Sequence, residues 1–120
     1  MVLMTDAANE PEWHVVGAVG DIDDEDVMRF DLGEATYAVY NTSQGYFATD
    51  GMCTHEESHL ADGFVDGDII ECCMHLGRFH IPTGQVRDAP VTVDLGTYPV
   101  KVEGGTIFIG LPRRGSGSGA

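Results

Sequence analysis

The stretch from Cys53 to Val86, CTHEESHLADGFVDGDIIECCMHLGRFHIPTGQV, opens on Cys53-Thr54-His55 and reaches Cys72-Cys73-Met74-His75 after sixteen intervening residues. Each clip offers one thiolate and one imidazole. Cys53, His55, Cys72 and His75 therefore make a four-ligand set for a soft or borderline metal. Two chemistries fit that inventory. A tetrahedral zinc accepts two sulfurs and two nitrogens at one centre, whereas a two-iron, two-sulfide cluster splits them, with both cysteines on one iron and both histidines on the other. Zinc fingers usually pair Cys with Cys and His with His, and here each clip mixes the two.

Working outward, Phe64-Val65 and Ile69-Ile70 flank Asp66-Gly67, a hairpin signal, because Asp-Gly tolerates the positive φ of a tight turn. The second clip follows the return strand directly. Arg78 to Ile81 reads as a further short strand before Pro82-Thr83-Gly84, and Asp88-Ala89-Pro90 as loop. Upstream, Trp13 to Val19 reads as a strand and Asp21 to Asp26 as an acidic loop. Val27 to Leu32 alternates, with Met28, Phe30 and Leu32 on one face. Gly33-Glu34 turns the chain into Ala35 to Asn41, and Ser43-Gln44-Gly45 turns it again into Tyr46 to Thr49. A last hairpin carries Tyr98, Val100 and Val102 on one face, turns at Gly104-Gly105 and returns as Thr106 to Ile109. Pro99 cannot donate to a ladder and marks an edge or bulge. No segment shows a helical apolar stripe, so the fold class is all-β with short strands.

The pattern Cys-x-His, about sixteen residues, then Cys-x-x-His resembles the Rieske family. The match extends past the ligands to the Gly-Asp before the second clip and to Phe79, Thr83 and Gly84 after it. The whole run is similar to the small Rieske ferredoxins of bacterial aromatic-ring-hydroxylating dioxygenases, and the likeness continues more loosely through Tyr98-Pro99-Val100-Lys101-Val102-Glu103. The resemblance implies an antiparallel β-sandwich with one [2Fe-2S] cluster held between two loops at one tip. It also implies that Cys53 and Cys72 hold the inner iron, and His55 and His75 the outer iron where electrons arrive and leave. The implied role is that of a one-electron carrier, not an enzyme, between a flavin-dependent ferredoxin reductase and a terminal Rieske oxygenase. A carrier for a monooxygenase or demethylase system, or a structural Cys2His2 zinc interaction module, is the alternative. By the same resemblance Leu60, Leu76 and Pro90 are candidates for an apolar rim around the cluster, packing over it being an equal possibility. The high-potential branch of the family has a disulfide where this chain has Ser58 and Met74, and two hydroxyl donors where it has Gly77 and Phe79.

Length and composition bound the rest. With 120 residues, 42% of them hydrophobic, one domain with one modest core is expected, leaving no room for a separate mononuclear-iron domain. The expected limits are a flexible N-terminus over 1–11, a Rieske domain over 12–110 and a flexible tail over 111–120. Twenty acidic against six basic residues give a net charge of −14, which argues against nucleic acid and anionic membrane and favours a basic docking surface on a protein partner. The three cysteines leave only one beyond a ligand pair, so no internal disulfide and a reducing compartment are expected. The N-terminus has neither the basic flank nor the apolar run of a signal peptide, and a cytoplasmic monomer is expected. Cys73 reads as a packed thiol rather than a ligand, because Cys-x-x-His spacing to His75 requires Cys72. His59 and His80 read as surface or packing residues, His14 as uninvolved, and the acidic stretch as a solvated loop.

Overall fold

The structure, a computed structural model, describes residues 11–53, 58–72, 77–88 and 93–112. In chain order the strands are β1 Glu12–Ala18, β2 Asp26–Leu32, β3 Ala35–Thr42, β4 Gly45–Asp50, β5 Phe64–Asp66, β6 Ile69–Glu71, β7 Arg78–His80, β8 Val86–Asp88, β9 Thr97–Tyr98, β10 Val100–Glu103 and β11 Thr106–Leu111. Single 3-10 turns occupy Val19–Asp21 and Leu60–Asp62, and no α-helix is present among the described residues. The strands form three antiparallel sheets ordered β1-β11-β10, β2-β3-β4-β9 and β5-β6-β7-β8.

The β2-β3-β4-β9 sheet is apolar on both sides, because successive side chains of a strand point to opposite faces. On β3, Val39 joins Ala48, Ile107, Ile109 and Leu111 in one buried cluster, with Met28, Phe30 and Leu32 packed against it as the alternation on β2 predicts. The neighbouring Ala38 and Tyr40 join Cys53, Leu60, Ile70, Cys72, Phe79, Ile81 and Leu95 in the other, with Val27 against them. Ala38, Val39 and Tyr40 are thus buried in succession. The buried Tyr40 hydroxyl is satisfied by Thr49 Oγ1 at 2.8 Å. The sheet containing β1 covers one side of this layer. The cysteine-bearing loops and the β5-β6-β7-β8 sheet cover the other.

The β5–β6 hairpin forms one residue later than the Asp-Gly signal suggests. Asp66 pairs with Ile69, so Gly67-Asp68 is the two-residue loop, and Gly67 takes φ +65° at its first position. Asp88, expected in a loop, instead ends a short strand, Val86–Asp88, that pairs with β7 across a register shift. A single apolar residue, Val86, between Gln85 and Arg87 is too short a pattern to show strand periodicity. Pro99 lies where the chain leaves β4's sheet and joins β11's; it needs no donor there, and its carbonyl accepts from Gly110 N–H at 2.8 Å. β11 continues to Leu111, two residues past the expected end at Ile109, because Leu111 is buried in the second cluster. Of the expected tails, 1–11 and 111–120, residues 1–10 and 113–120 lie outside the described residues.

Candidate metal centre

Two chain reversals carry the clips, and their bases are closed alike. Cys53 N–H donates to the Ser58 carbonyl at 3.0 Å, and Cys72 N–H donates to the Gly77 carbonyl at 2.7 Å. In each case the cysteine bonds to the residue five positions on, so the ends of the intervening four-residue segment are held together. The first reversal is clamped further by an isolated Met52–His59 bridge and by Leu60 N–H donating to Gly51 O at 2.8 Å. The second is the connection between β6 and β7, whose last cross-strand pair is Glu71–Arg78. The two reversals approach closely because Gly63, just after the first, lies directly against the Glu71 carbonyl, where any Cβ would collide.

Cys53 and Cys72 are the two clip residues the structure brings together. Both are thiols outside any disulfide, and both are buried in the same apolar cluster beside Leu60 and Phe79. Cys72 is 1% exposed. The Ser58 hydroxyl on the first reversal lies 3.2 Å from the Cys72 sulfur on the second. His55, His75 and Cys73, as well as Leu76 and Pro90, lie outside the described residues. Among the described residues no three His, Cys, Asp or Glu side chains converge on one point. Leu60 is fully buried in the cluster that holds Cys53 and Cys72, so of the two possibilities, rim or packing, the structure shows packing.

The remaining histidines act as structural residues. His59 is buried, its Nδ1 accepts from Ala61 N–H at 3.0 Å, and its Nε2 meets Thr36 Oγ1 at 2.8 Å. With Nδ1 accepting, the ring proton sits on Nε2 and points to Thr36, whose hydroxyl in turn donates to Asp31 at 2.5 Å. Burial, reinforced by the Arg29 charge, lowers the His59 pKa and keeps the ring neutral. The Thr36 hydrogen bond and then Arg29 lower the pKa of Asp31. His80 is held by Asp68 at 3.0 Å and Thr83 at 2.8 Å. His14, on β1, sits 3.3 Å from Glu12, in the sheet on the far side of the central layer. Asp50 ties β4 to the chain before β9 by accepting from Gly96 N–H at 2.8 Å and the Tyr98 hydroxyl at 2.5 Å.

Residues 12–99 match the Rieske [2Fe-2S] domain family. The chain belongs to that family. It is 39% identical over 100 residues to the naphthalene 1,2-dioxygenase system ferredoxin component of Pseudomonas aeruginosa, covering 83% of this chain and 96% of that one. It is 33% identical to the biphenyl 2,3-dioxygenase ferredoxin component of Rhodococcus jostii strain RHA1 over 92 residues, 77% of this chain and 86% of that one. A Sphingomonas yanoikuyae B1 ferredoxin superimposes with a TM-score of 0.78 at 35% identity, covering 84% of this chain and all of the other. A structure described as a complex of reduced oxygenase and oxidised ferredoxin in carbazole 1,9a-dioxygenase aligns with a TM-score of 0.77 at 36% identity, over 82% of this chain and 92% of that one.

The cofactor of this Rieske chain is a [2Fe-2S] cluster. Its described residues fit one: two buried thiols from two closed reversals share one apolar pocket, and a serine hydroxyl lies 3.2 Å from one sulfur. The family assignment sets aside the structural zinc module, and no helix among the described residues is long and apolar enough to cross a membrane.

Proposed function

We propose that this protein is a ferredoxin that takes one electron at a time from a flavin-dependent reductase and delivers it to the terminal oxygenase of an aromatic-ring-hydroxylating dioxygenase, converting no substrate itself. The observation that carries this is the 39% identity to the ferredoxin component of a naphthalene dioxygenase system over 83% of this chain and 96% of that one. The bound cluster supplies a one-electron couple. Cys53 and Cys72 would hold its inner iron, and their burial keeps water from those sulfurs. His55 and His75 would hold the outer iron, at which electrons would arrive and leave. The functional domain is residues 12–110, acting as a cytoplasmic monomer.

The test is reconstitution with a reductase and oxygenase of the naphthalene 1,2-dioxygenase type. Anaerobically reduced protein mixed with oxidised oxygenase should be reoxidised in a single exponential phase, and steady-state product should depend on added ferredoxin. Product formation at the same rate without this chain, or no reoxidation on mixing, would count against the proposal.

A further inference from the structure

We propose that Ser58 sets the reduction potential by donating its hydroxyl hydrogen to the Cys72 sulfur; this rests on the ligand role of Cys72 given above. Oγ lies 3.2 Å from Sγ, and between a hydroxyl and a protonated thiol either group could donate. An iron-bound cysteine is a thiolate and has no proton, so in the loaded protein only the hydroxyl can. Ser58 is also held in place by its neighbours. Its carbonyl accepts from Cys53 N–H at 3.0 Å, and the next residue, His59, is fixed by Ala61 and Thr36. One residue therefore contacts both reversals, with its backbone on one cysteine and its side chain on the other.

Reduction adds one electron, supplied by the reductase, and breaks no bond in Ser58, which keeps its proton in both oxidation states. The added negative charge is shared with the sulfurs, so a donor aimed at one favours the reduced form. The effect is enlarged because Cys72 is 1% exposed and water does not compete for its sulfur. Gly77 and Phe79 carry no hydroxyl. The second loop thus lacks what the first loop supplies, from a position that the high-potential branch gives to a disulfide cysteine.

The experiment compares wild type, Ser58→Ala, Ser58→Gly and Ser58→Thr, each first assayed for iron, sulfide and the rhombic paramagnetic signal of the reduced state, then titrated potentiometrically. Ser58→Ala should load fully, keep its signal, and show a reduction equilibrium constant about tenfold lower, equivalent to about 59 mV for one electron. Ser58→Thr, which retains the hydroxyl, should stay within threefold of wild type. A loaded Ser58→Ala at the wild-type potential overturns the proposal. Should Ser58→Ala load poorly, Ser58→Gly decides on the same criterion, and failure of both to hold a cluster in folded protein assigns Ser58 to assembly and likewise overturns it. Wild type lacking iron and sulfide would instead bring down the ferredoxin assignment itself, so the two failures are told apart at the first step.

Discussion

Thr36→Val should destabilise the fold through His59. The substitution keeps the shape of the side chain and removes only the hydroxyl that accepts from His59 Nε2 at 2.8 Å and donates to Asp31 at 2.5 Å. The two losses are unequal. Asp31 is exposed and water replaces its partner, so that half costs little. His59 is buried, and its Nε2 hydrogen has no way to turn aside, because the ring lies over Gly51, where even a Cβ would come within 2.6 Å of Nε2. A stranded buried donor costs about 1–3 kcal/mol. For a domain of this size each kcal/mol lowers the melting temperature by about 4–8 °C, giving a fall of roughly 5–20 °C. Thermal unfolding of the loaded protein, followed by the cluster's visible absorption and by far-ultraviolet circular dichroism, measures it, with Thr36→Ser as the hydroxyl-retaining control. Equal melting of wild type and Thr36→Val, or equal losses in the Val and Ser variants, would refute the assigned hydrogen-bond chain.

Because burial holds the His59 pKa below the unfolded value of about 6.5, its contribution to stability is present above that pH and is lost on acidification toward the folded pKa, at up to about 1.36 kcal/mol per pH unit. Denaturant unfolding at pH 5.5 and 7.5 should show this loss in wild type relative to His59→Gln, and parallel pH profiles would contradict it. The potential should lie nearer about −150 mV than about +300 mV within the Rieske range. Gly77→Ser with Phe79→Tyr, the latter placing a hydroxyl in the buried pocket beside both thiols, should raise it by roughly 100 mV, as two donors of about 1.5 kcal/mol each imply; an unchanged potential in titration would refute this. With a net charge of −14, second-order electron transfer to the oxygenase should slow in stopped-flow as salt brings the Debye length to about 10 Å and below, and salt-independent rates would instead indicate an apolar contact.

The strands were legible where alternation or turn chemistry ran long enough to register. Met28, Phe30 and Leu32 share a face as their spacing indicates, and the Gly33-Glu34 and Gly104-Gly105 turns fall between paired strands. Ala38-Val39-Tyr40 gave no alternation because the layer they belong to is covered on both sides, which depends on β1 and β11 pairing across the length of the chain. The two proposed ligand clips stand out by their spacing, and of their residues the structure describes Cys53 and Cys72, buried in one cluster. Ser58 does not stand out, since a lone serine five residues after a cysteine has no local signature, and its meeting with Cys72 arises from the close approach at Gly63. Leu60 was left between rim and packing for a related reason: its burial is set by the 3-10 turn over Leu60–Asp62, which places it in the cluster with both cysteines.

The central claim is that Cys53, Cys72, His55 and His75 together hold one [2Fe-2S] cluster, and the most direct measurement is pulsed electron–nuclear double resonance on dithionite-reduced protein grown with nitrogen-15 histidine. Red-brown protein with about two irons and two sulfides per chain should give couplings from two histidine nitrogens. Either His55→Cys or His75→Cys should remove one of the two couplings, Cys53→Ser or Cys72→Ser should abolish the cluster, and Cys73→Ser should leave both couplings intact. Colourless protein with a single zinc, a reduced signal without histidine nitrogen coupling, or a cluster that survives in Cys72→Ser and is lost in Cys73→Ser would contradict the assignment.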